Sequence, residues 1–206
     1  MQTRKAISLI SLILISFPLI SLYAQSSEVD SVDIAISEYT KAIRSDPGNA
    51  MSYVLRGMMY IGKGDFKRAI SDFNKAMEIN PQLAVAYDGR GTAYHYMGEL
   101  DRAILDYNKA IEIEPEFWEA YAHRGTAYYQ KDKKGNLEQA LSDYTKAIEI
   151  EPGIASNYYS RANLYFLKKD YDKSWEDVNK ATGLKVREPV DPKFLESLKK
   201  ASGREK

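Results

Sequence analysis

Residues 84–115 decide the fold, and they read AVAYDGRGTAYHYMGELDRAILDYNKAIEIEP. The first part has helical periodicity, with Tyr87, Gly91 and Tyr94 on one face. A glycine-containing turn separates it from a second periodic segment that ends at a proline. Gly91 and Ala103 fall where the facing helices would approach most closely. The stretch is therefore predicted to form a helix hairpin.

The hairpin is repeated, because shifting the frame by 34 residues in either direction recovers the same pattern. The copy beginning at residue 118 has three extra residues in its turn. The last copy is degenerate: it has Ala162 for the glycine, Ser174 for the first alanine and no closing proline, so we expect it to be the weakest unit. An N-terminal half repeat contains only a second helix. The predicted units span 32–47 (half repeat), 50–83, 84–117, 118–154 and 155–187 (degenerate).

This pattern resembles the tetratricopeptide repeat family. Positions are counted from the first residue of each unit, so that Ala84 is position 1 of its unit. The period of 34 has a small residue at position 8, aromatic residues at 11 and 24, alanine at 20 and 27, and proline at 32. The resemblance covers about residues 35–186 and implies an all-α fold, a right-handed superhelical solenoid of antiparallel helix pairs. In two departures from the family pattern, position 4 is Tyr rather than Trp and position 7 is Arg rather than Leu. An amphipathic segment at 191–201 is predicted to be a C-terminal capping helix.

The N-terminus has the features of an export signal. Residues 1–24 contain Arg4 and Lys5, then an uncharged apolar run, then a small residue at Ala24. We expect cleavage there, a disordered linker at 25–31 and a periplasmic or secreted protein. The alternative is an uncleaved membrane anchor, because Leu22 is an unfavourable residue near the cleavage site. Contact with a membrane is expected only in that case.

Composition disfavours several classes of function. Basic and acidic residues are balanced at 29 each, so nucleic acid is not an expected partner. There is no cysteine and there are only two histidines, which gives no basis for a metal site. The sequence contains no glycine-rich phosphate loop and no catalytic triad at motif spacing. We therefore expect no enzyme activity, no cofactor and no small-molecule substrate.

Every full unit has arginine at position 7 and aspartate at position 23. We predict partly buried ion pairs that link the helices of one unit or of adjacent units. Their role would be to fix register more than to add stability. A catalytic role is disfavoured because the pairs recur along the chain and do not converge on one cleft. The predicted pairs are Arg56 with Asp72, Arg90 with Asp106, Arg124 with Asp143, and Arg161 with Asp177.

The resemblance also implies a binding groove, because in this family positions 2, 5, 9 and 12 of each first helix line the concave face. Along the groove the predicted lining changes from aliphatic to polar to aromatic. It consists of Met51, Val54, Met58, Ile61, Asp88, Thr92, His95, Glu119, Thr126, Tyr129, Tyr159, Asn163 and Phe166. Aromatic side chains on a rigid surface are suitable peptide anchors. The alternative is that the chain covers parts of the groove itself, with residues 25–33 over the first unit and the C-terminal helix over Phe166.

These features predict a non-catalytic scaffold of the cell envelope that binds a protein or peptide segment in the groove. The alternatives are a structural protein that self-associates, or a chaperone or assembly factor for a secretion or envelope machine. Some family members bind chaperone C-terminal carboxylates with a clamp of Lys, Asn and Arg. Here the corresponding positions hold other residues, including Val54, Met58, Asp88 and Thr92. This type of ligand is therefore not expected.

Overall fold

The computed structural model describes residues 31–133, 135–184 and 191–204, and all regular structure in these ranges is α-helical. The helices are α1 (31–45), α2 (Ala50–Gly62), α3 (Phe66–Ile79), α4 (Ala84–Tyr96), α5 (Leu100–Ile113), α6 (Trp118–Lys131), α7 (Leu137–Ile150), α8 (Ala155–Leu167), α9 (Tyr171–Gly183) and α10 (Pro192–Ser202). The predicted export signal at 1–24 and residues 25–30 of the predicted linker lie outside the described residues. Residue 31 is already helical.

Side-chain caps and left-handed turns set the helix ends. The Asp65 carboxylate accepts a hydrogen bond from the Arg68 backbone N–H and so satisfies a donor that the first turn of α3 leaves free. Gly64 and Gly98 adopt φ angles of 74° and 78° in the turns between paired helices. In the degenerate unit, Lys169 takes this place with φ 62°. A side chain in that conformation costs about 1–2 kcal/mol.

Small residues allow the two helices of a unit to pack closely. A Cβ atom on Gly91 would lie 2.8 Å from Tyr107 Cε1 and 3.2 Å from the Ala103 carbonyl oxygen. Both Tyr107 and Ala103 are fully buried. Because a packed interior has little free volume, position 8 of this unit accepts only glycine without movement of the ring.

Each arginine at position 7 joins three helices. Arg90 donates from Nε and Nη2 to the Asp106 carboxylate, both at 2.7 Å, and from Nη1 to Asn74 Oδ1 of the preceding unit at 2.7 Å. Its guanidinium lies 6.0 Å from the Tyr87 ring and 5.9 Å from the Tyr94 ring. The other predicted pairs are also in contact, Arg56 with Asp72, Arg124 with Asp143, and Arg161 with Asp177. Tyrosine at position 4 and arginine at position 7 thus belong to one cluster.

One of the substitutions that mark the degenerate unit is accommodated in its core. Ser174 is fully buried, and its hydroxyl donates to the Ala162 carbonyl oxygen at 2.8 Å. The hydroxyl that we expected to weaken this unit is therefore satisfied. The capping helix α10 covers the unit, with Leu198 fully buried and Trp175 Nε1 donating to Ser202 Oγ at 3.0 Å.

The core is divided among successive units and not gathered at one centre. Buried side chains form clusters that follow one another along the chain, as a solenoid requires. None of the described helices combines the length and the apolar character needed to cross a bilayer. The fold is an all-α solenoid of antiparallel helix pairs.

Candidate partner-binding groove

The first helices of the units form the inner side of the solenoid. Helix α2 contacts α4, and α4 contacts α6. Second helices of successive units show no comparably extensive contact in the described part of the chain. The side on which neighbouring units come closest is the inside of the curve. Side chains of first helices that point away from the second helices therefore line a groove.

The N-terminal end of this groove is apolar. Met51 is 43% exposed, whereas Met58 and Ile61 are half-buried against the core of the first unit. Val54 is fully buried and presents no surface to a partner, although its position in the repeat is a groove position. It supports the groove from beneath.

Two hydrogen bonds cross between units in the central section. His95 Nε2 lies 2.7 Å from Gln130 Oε1, and His123 Nδ1 lies 2.8 Å from Asp88 Oδ1. Both contacts join α4 to α6. Asp88 is buried, while His123 is half-exposed and packs at an angle against the Tyr107 ring, with 5.7 Å between the centroids. These bridges hold polar groups of two units in a fixed arrangement.

Carboxylates near His123 affect its protonation. Burial lowers the pKa of His123, but the hydrogen bond and the negative charge of Asp88 outweigh burial, and the pKa is raised above its ordinary value. Burial raises the pKa of Glu119, and the charge of Asp88 adds to that rise. The surroundings of His123 therefore favour its protonated form, which donates a hydrogen bond to Asp88.

The two threonines at position 9 interact with the helices beneath them. Thr92 Oγ1 accepts a hydrogen bond from the Tyr107 hydroxyl at 3.4 Å. Thr126 Oγ1 lies 2.7 Å from the Tyr144 hydroxyl and donates to the Ala122 carbonyl oxygen. Each threonine is half-buried, and its hydroxyl forms hydrogen bonds within the solenoid. These hydroxyls therefore contribute little to the open surface of the groove.

The C-terminal end of the groove is covered by the chain itself. Phe194 of α10 packs edge-to-face on Tyr159 and Phe166, with ring centroids 5.4 and 5.6 Å away. Asn163 Nδ2 donates to the Tyr159 carbonyl oxygen at 2.9 Å, a bond within its own helix. Tyr129, one unit earlier, remains half-exposed. Among the described residues, the open part of the groove therefore runs from α2 to α6.

Three residues of this surface lie outside the predicted set: His123, Gln130 and Tyr96. Tyr96 is 62% exposed and stacks on Phe66 of the preceding unit, with 5.5 Å between ring centroids. Each follows a predicted lining position by one residue, so widening the pattern to positions 6 and 13 would have found them. In the described residues, no group of three or more His, Cys, Asp or Glu side chains is placed to hold a metal ion.

Sequence comparison identifies the repeat. The family described as tetratricopeptide repeat matches residues 50–83 and 119–154, and the family described as TPR repeat matches residues 91–132. The chain is a tetratricopeptide repeat (TPR) protein. A comparison with curated protein sequences finds no significant match.

Several solved structures are similar to this TPR protein. MamA is 28% identical with a TM-score of 0.63, and the match covers 77% of this chain and 91% of MamA. YrrB, described as a TPR protein with an unusual peptide-binding site, is 25% identical with a TM-score of 0.60, covering 89% and 91%. The first TPR of Spaghetti (RPAP3), bound to the HSP90 peptide SRMEEVD, is 26% identical with a TM-score of 0.54, covering 57% and 91%.

Proposed function

We propose that this TPR protein is a non-catalytic scaffold of the cell envelope that holds an extended or helical segment of a partner protein in its inner groove. The observation that carries the proposal is the central section, where Asp88, His95, His123 and Gln130 form two bridges between α4 and α6. Polar groups fixed in this way can orient a ligand without being ordered at binding, which favours affinity.

The groove also suggests the size and character of the segment. Its open part spans α2, α4 and α6, which at usual helix spacing corresponds to about 20 Å, or about six extended residues. Met51 and its neighbours at the N-terminal end would contact apolar side chains, and the central section would contact polar ones. A short amphipathic segment fits this surface.

Similar proteins support a peptide as the ligand, because YrrB has a peptide-binding site and the RPAP3 repeat binds an HSP90 peptide. A C-terminal carboxylate is not the ligand that we propose here. Val54 is buried and Asp88 is acidic at positions where carboxylate-binding members have clamp residues. The envelope setting is proposed from residues 1–24, whose charge and apolar pattern is that of an export signal.

The test is affinity capture from an envelope extract of the source cells. The full chain is compared with a groove variant carrying His95→Ala, Tyr129→Ala and Gln130→Ala. The matched control carries Leu105→Ala, Lys109→Ala and Glu112→Ala on α5, where Leu105 is 67% exposed. We expect a protein that the full chain and the control both retain and the groove variant loses. Synthetic peptides from that protein then map the bound segment by fluorescence anisotropy.

Equal capture by all three proteins would contradict groove binding. Loss in the α5 control alone would place the site on the outer face, and capture of nothing but the chain itself would favour self-association. The setting is tested separately, by fractionating source cells that produce the chain with a C-terminal tag and sequencing the N-terminus of the product. A cytoplasmic product with its N-terminus intact would contradict the envelope assignment.

A further inference from the structure

Helix α1 corresponds to the second helix of a repeat, and the described residues include no first helix beside it. In the first full unit, α3 buries Ala69, Phe73 and Ala76 completely against its partner helix. The corresponding residues of α1 are Ala35, Tyr39 and Ala42, yet Ala42 is exposed and the other two are only half-buried. Among the described residues, nothing covers this face as α2 covers α3.

Ile34 extends the same face with an apolar side chain, and it is 60% exposed. Position 19 in the full units is occupied by Arg, Gln or Lys. In three of those units the cation lies over an aromatic ring of its own first helix, with Arg68 4.6 Å from the Tyr60 ring, Arg102 4.0 Å from the Tyr94 ring and Lys173 5.4 Å from the Tyr165 ring. An apolar residue at this position of α1 favours contact with another apolar side chain rather than with water.

Glu38 places a negative charge on the face. It stands at position 23, where each full unit has the aspartate that accepts two hydrogen bonds from arginine. Glu38 is exposed and forms no ion pair within the described ranges. The face therefore has a carboxylate at the position where the other units bind a guanidinium.

We propose that this open α1 face, formed by Ile34, Ala35, Glu38, Tyr39 and Ala42, binds an amphipathic helix of a partner protein. The four full units define the chemistry of that helix, because each shows how such a face is covered. The partner helix carries an arginine that pairs with Glu38 and, next to it, a small residue that packs against Tyr39. In the first unit the equivalent residue is Gly57, where a Cβ would lie 3.0 Å from Phe73 Cε1.

The sequence that precedes α1 lacks the pattern of a matching helix. In the repeat register, the first helix of the half unit corresponds to residues 16–29, SFPLISLYAQSSEV. This sequence contains no arginine or lysine, and it has Leu22 and Tyr23 where the pattern requires arginine and a small residue. The matching first helices α2, α4, α6 and α8 are already packed within their own units. The occupant is therefore a helix from a different protein.

A peptide from the chain itself serves as a probe. Residues 84–97, AVAYDGRGTAYHYM, contain the arginine and the small residue at the required spacing. We expect the labelled peptide to bind the full chain saturably in fluorescence anisotropy. Reversing one charge, by R90E in the peptide or Glu38→Arg in the protein, should weaken binding about tenfold or more, because a charge-assisted pair is lost and a repulsion gained. Combining both reversals should restore binding.

The matched protein control is Glu78→Arg, an equal change of charge on the exposed surface of α3, which should leave peptide binding unchanged. Failure of the peptide to bind, or equal weakening by Glu38→Arg and Glu78→Arg, would overturn the proposal. The outcome is independent of the groove, because the His95, Tyr129 and Gln130 substitutions leave the open α1 face intact.

Thiol labelling distinguishes the other possible occupants, since the chain contains no cysteine. An Ala42→Cys variant of the full chain should react as fast as Ser37→Cys on the outward side of α1, and the probe peptide should slow only the former. Protection of the Ala42→Cys thiol at every protein concentration would mean that residues preceding α1 cover the face. Protection that appears only at high concentration would mean that a second copy covers it. Either result would overturn the proposal of a partner helix.

Discussion

Replacing Asp106 with asparagine tests the arginine bridges most directly. The Asp106 side chain is 9% exposed and that of Arg90 is 25% exposed, so the substitution leaves a mostly buried guanidinium without its counter-charge. Breaking a buried pair from one side usually costs about 3–5 kcal/mol. A quarter of Arg90 remains in water and Asn74 still accepts one hydrogen bond. We therefore expect a loss of about 2–3 kcal/mol in the free energy of unfolding.

The assay is urea denaturation followed by circular dichroism, with Asp101→Asn on the same helix as the matched control. Asp101 pairs with Lys131, but its side chain is 78% exposed, so its loss should change stability by less than about 1 kcal/mol. A double variant with Leu at residues 90 and 106 should be more stable than Asp106→Asn, because neither charge then remains buried. Equal unfolding midpoints for Asp106→Asn and Asp101→Asn would refute this reasoning.

Three further predictions concern single residues. Gly89→Ala should destabilise the chain by about 1–3 kcal/mol in urea denaturation, because the new Cβ would lie 2.4 Å from Cε1 of the fully buried Phe73. Lys169→Gly should raise the unfolding free energy by about 1 kcal/mol, because glycine adopts the left-handed conformation without strain, and an unchanged midpoint would contradict this. The pKa of His123 is raised on folding above 6.5, so its pairing with Asp88 adds stability that is complete below about pH 6.5 and is lost as pH rises through the folded pKa. Urea midpoints measured on both sides of that pH should show this loss in the parent chain and not in His123→Gln.

The sequence predicts the repeated part of the fold because the same contacts recur at a fixed spacing. Gly91, Ala103 and Tyr107 pack against one another within one unit, and equivalent residues recur in the units at 50–83 and 118–154. Their packing therefore follows from the period alone. The pairing of Arg90 with Asp106 can be inferred in the same way, since arginine and aspartate occur together in every full unit.

Features at the ends and between units are harder to predict. Val54 is buried in the core cluster against which Ile36 and Ile43 of α1 also pack, and the family pattern does not specify this burial. Phe194 covers Phe166 because α10 continues the stack of first helices, although its sequence lacks the repeat pattern. The bridges across the groove depend on side chains at positions that vary from one unit to the next.

The arginine bridge also bears on how such a chain can change its length during evolution. Arg90 reaches Asn74 and Arg124 reaches Asn108, so in these two units an asparagine of the preceding unit accepts a hydrogen bond from the arginine. A deletion of residues 84–117 would bring Arg124 opposite Asn74 and preserve a hydrogen bond from arginine to asparagine between the two units. It would also remove Asp88, the partner of His123 in the groove. Loss of this unit would therefore keep an arginine–asparagine contact between the remaining units while it changes the surface that a ligand meets.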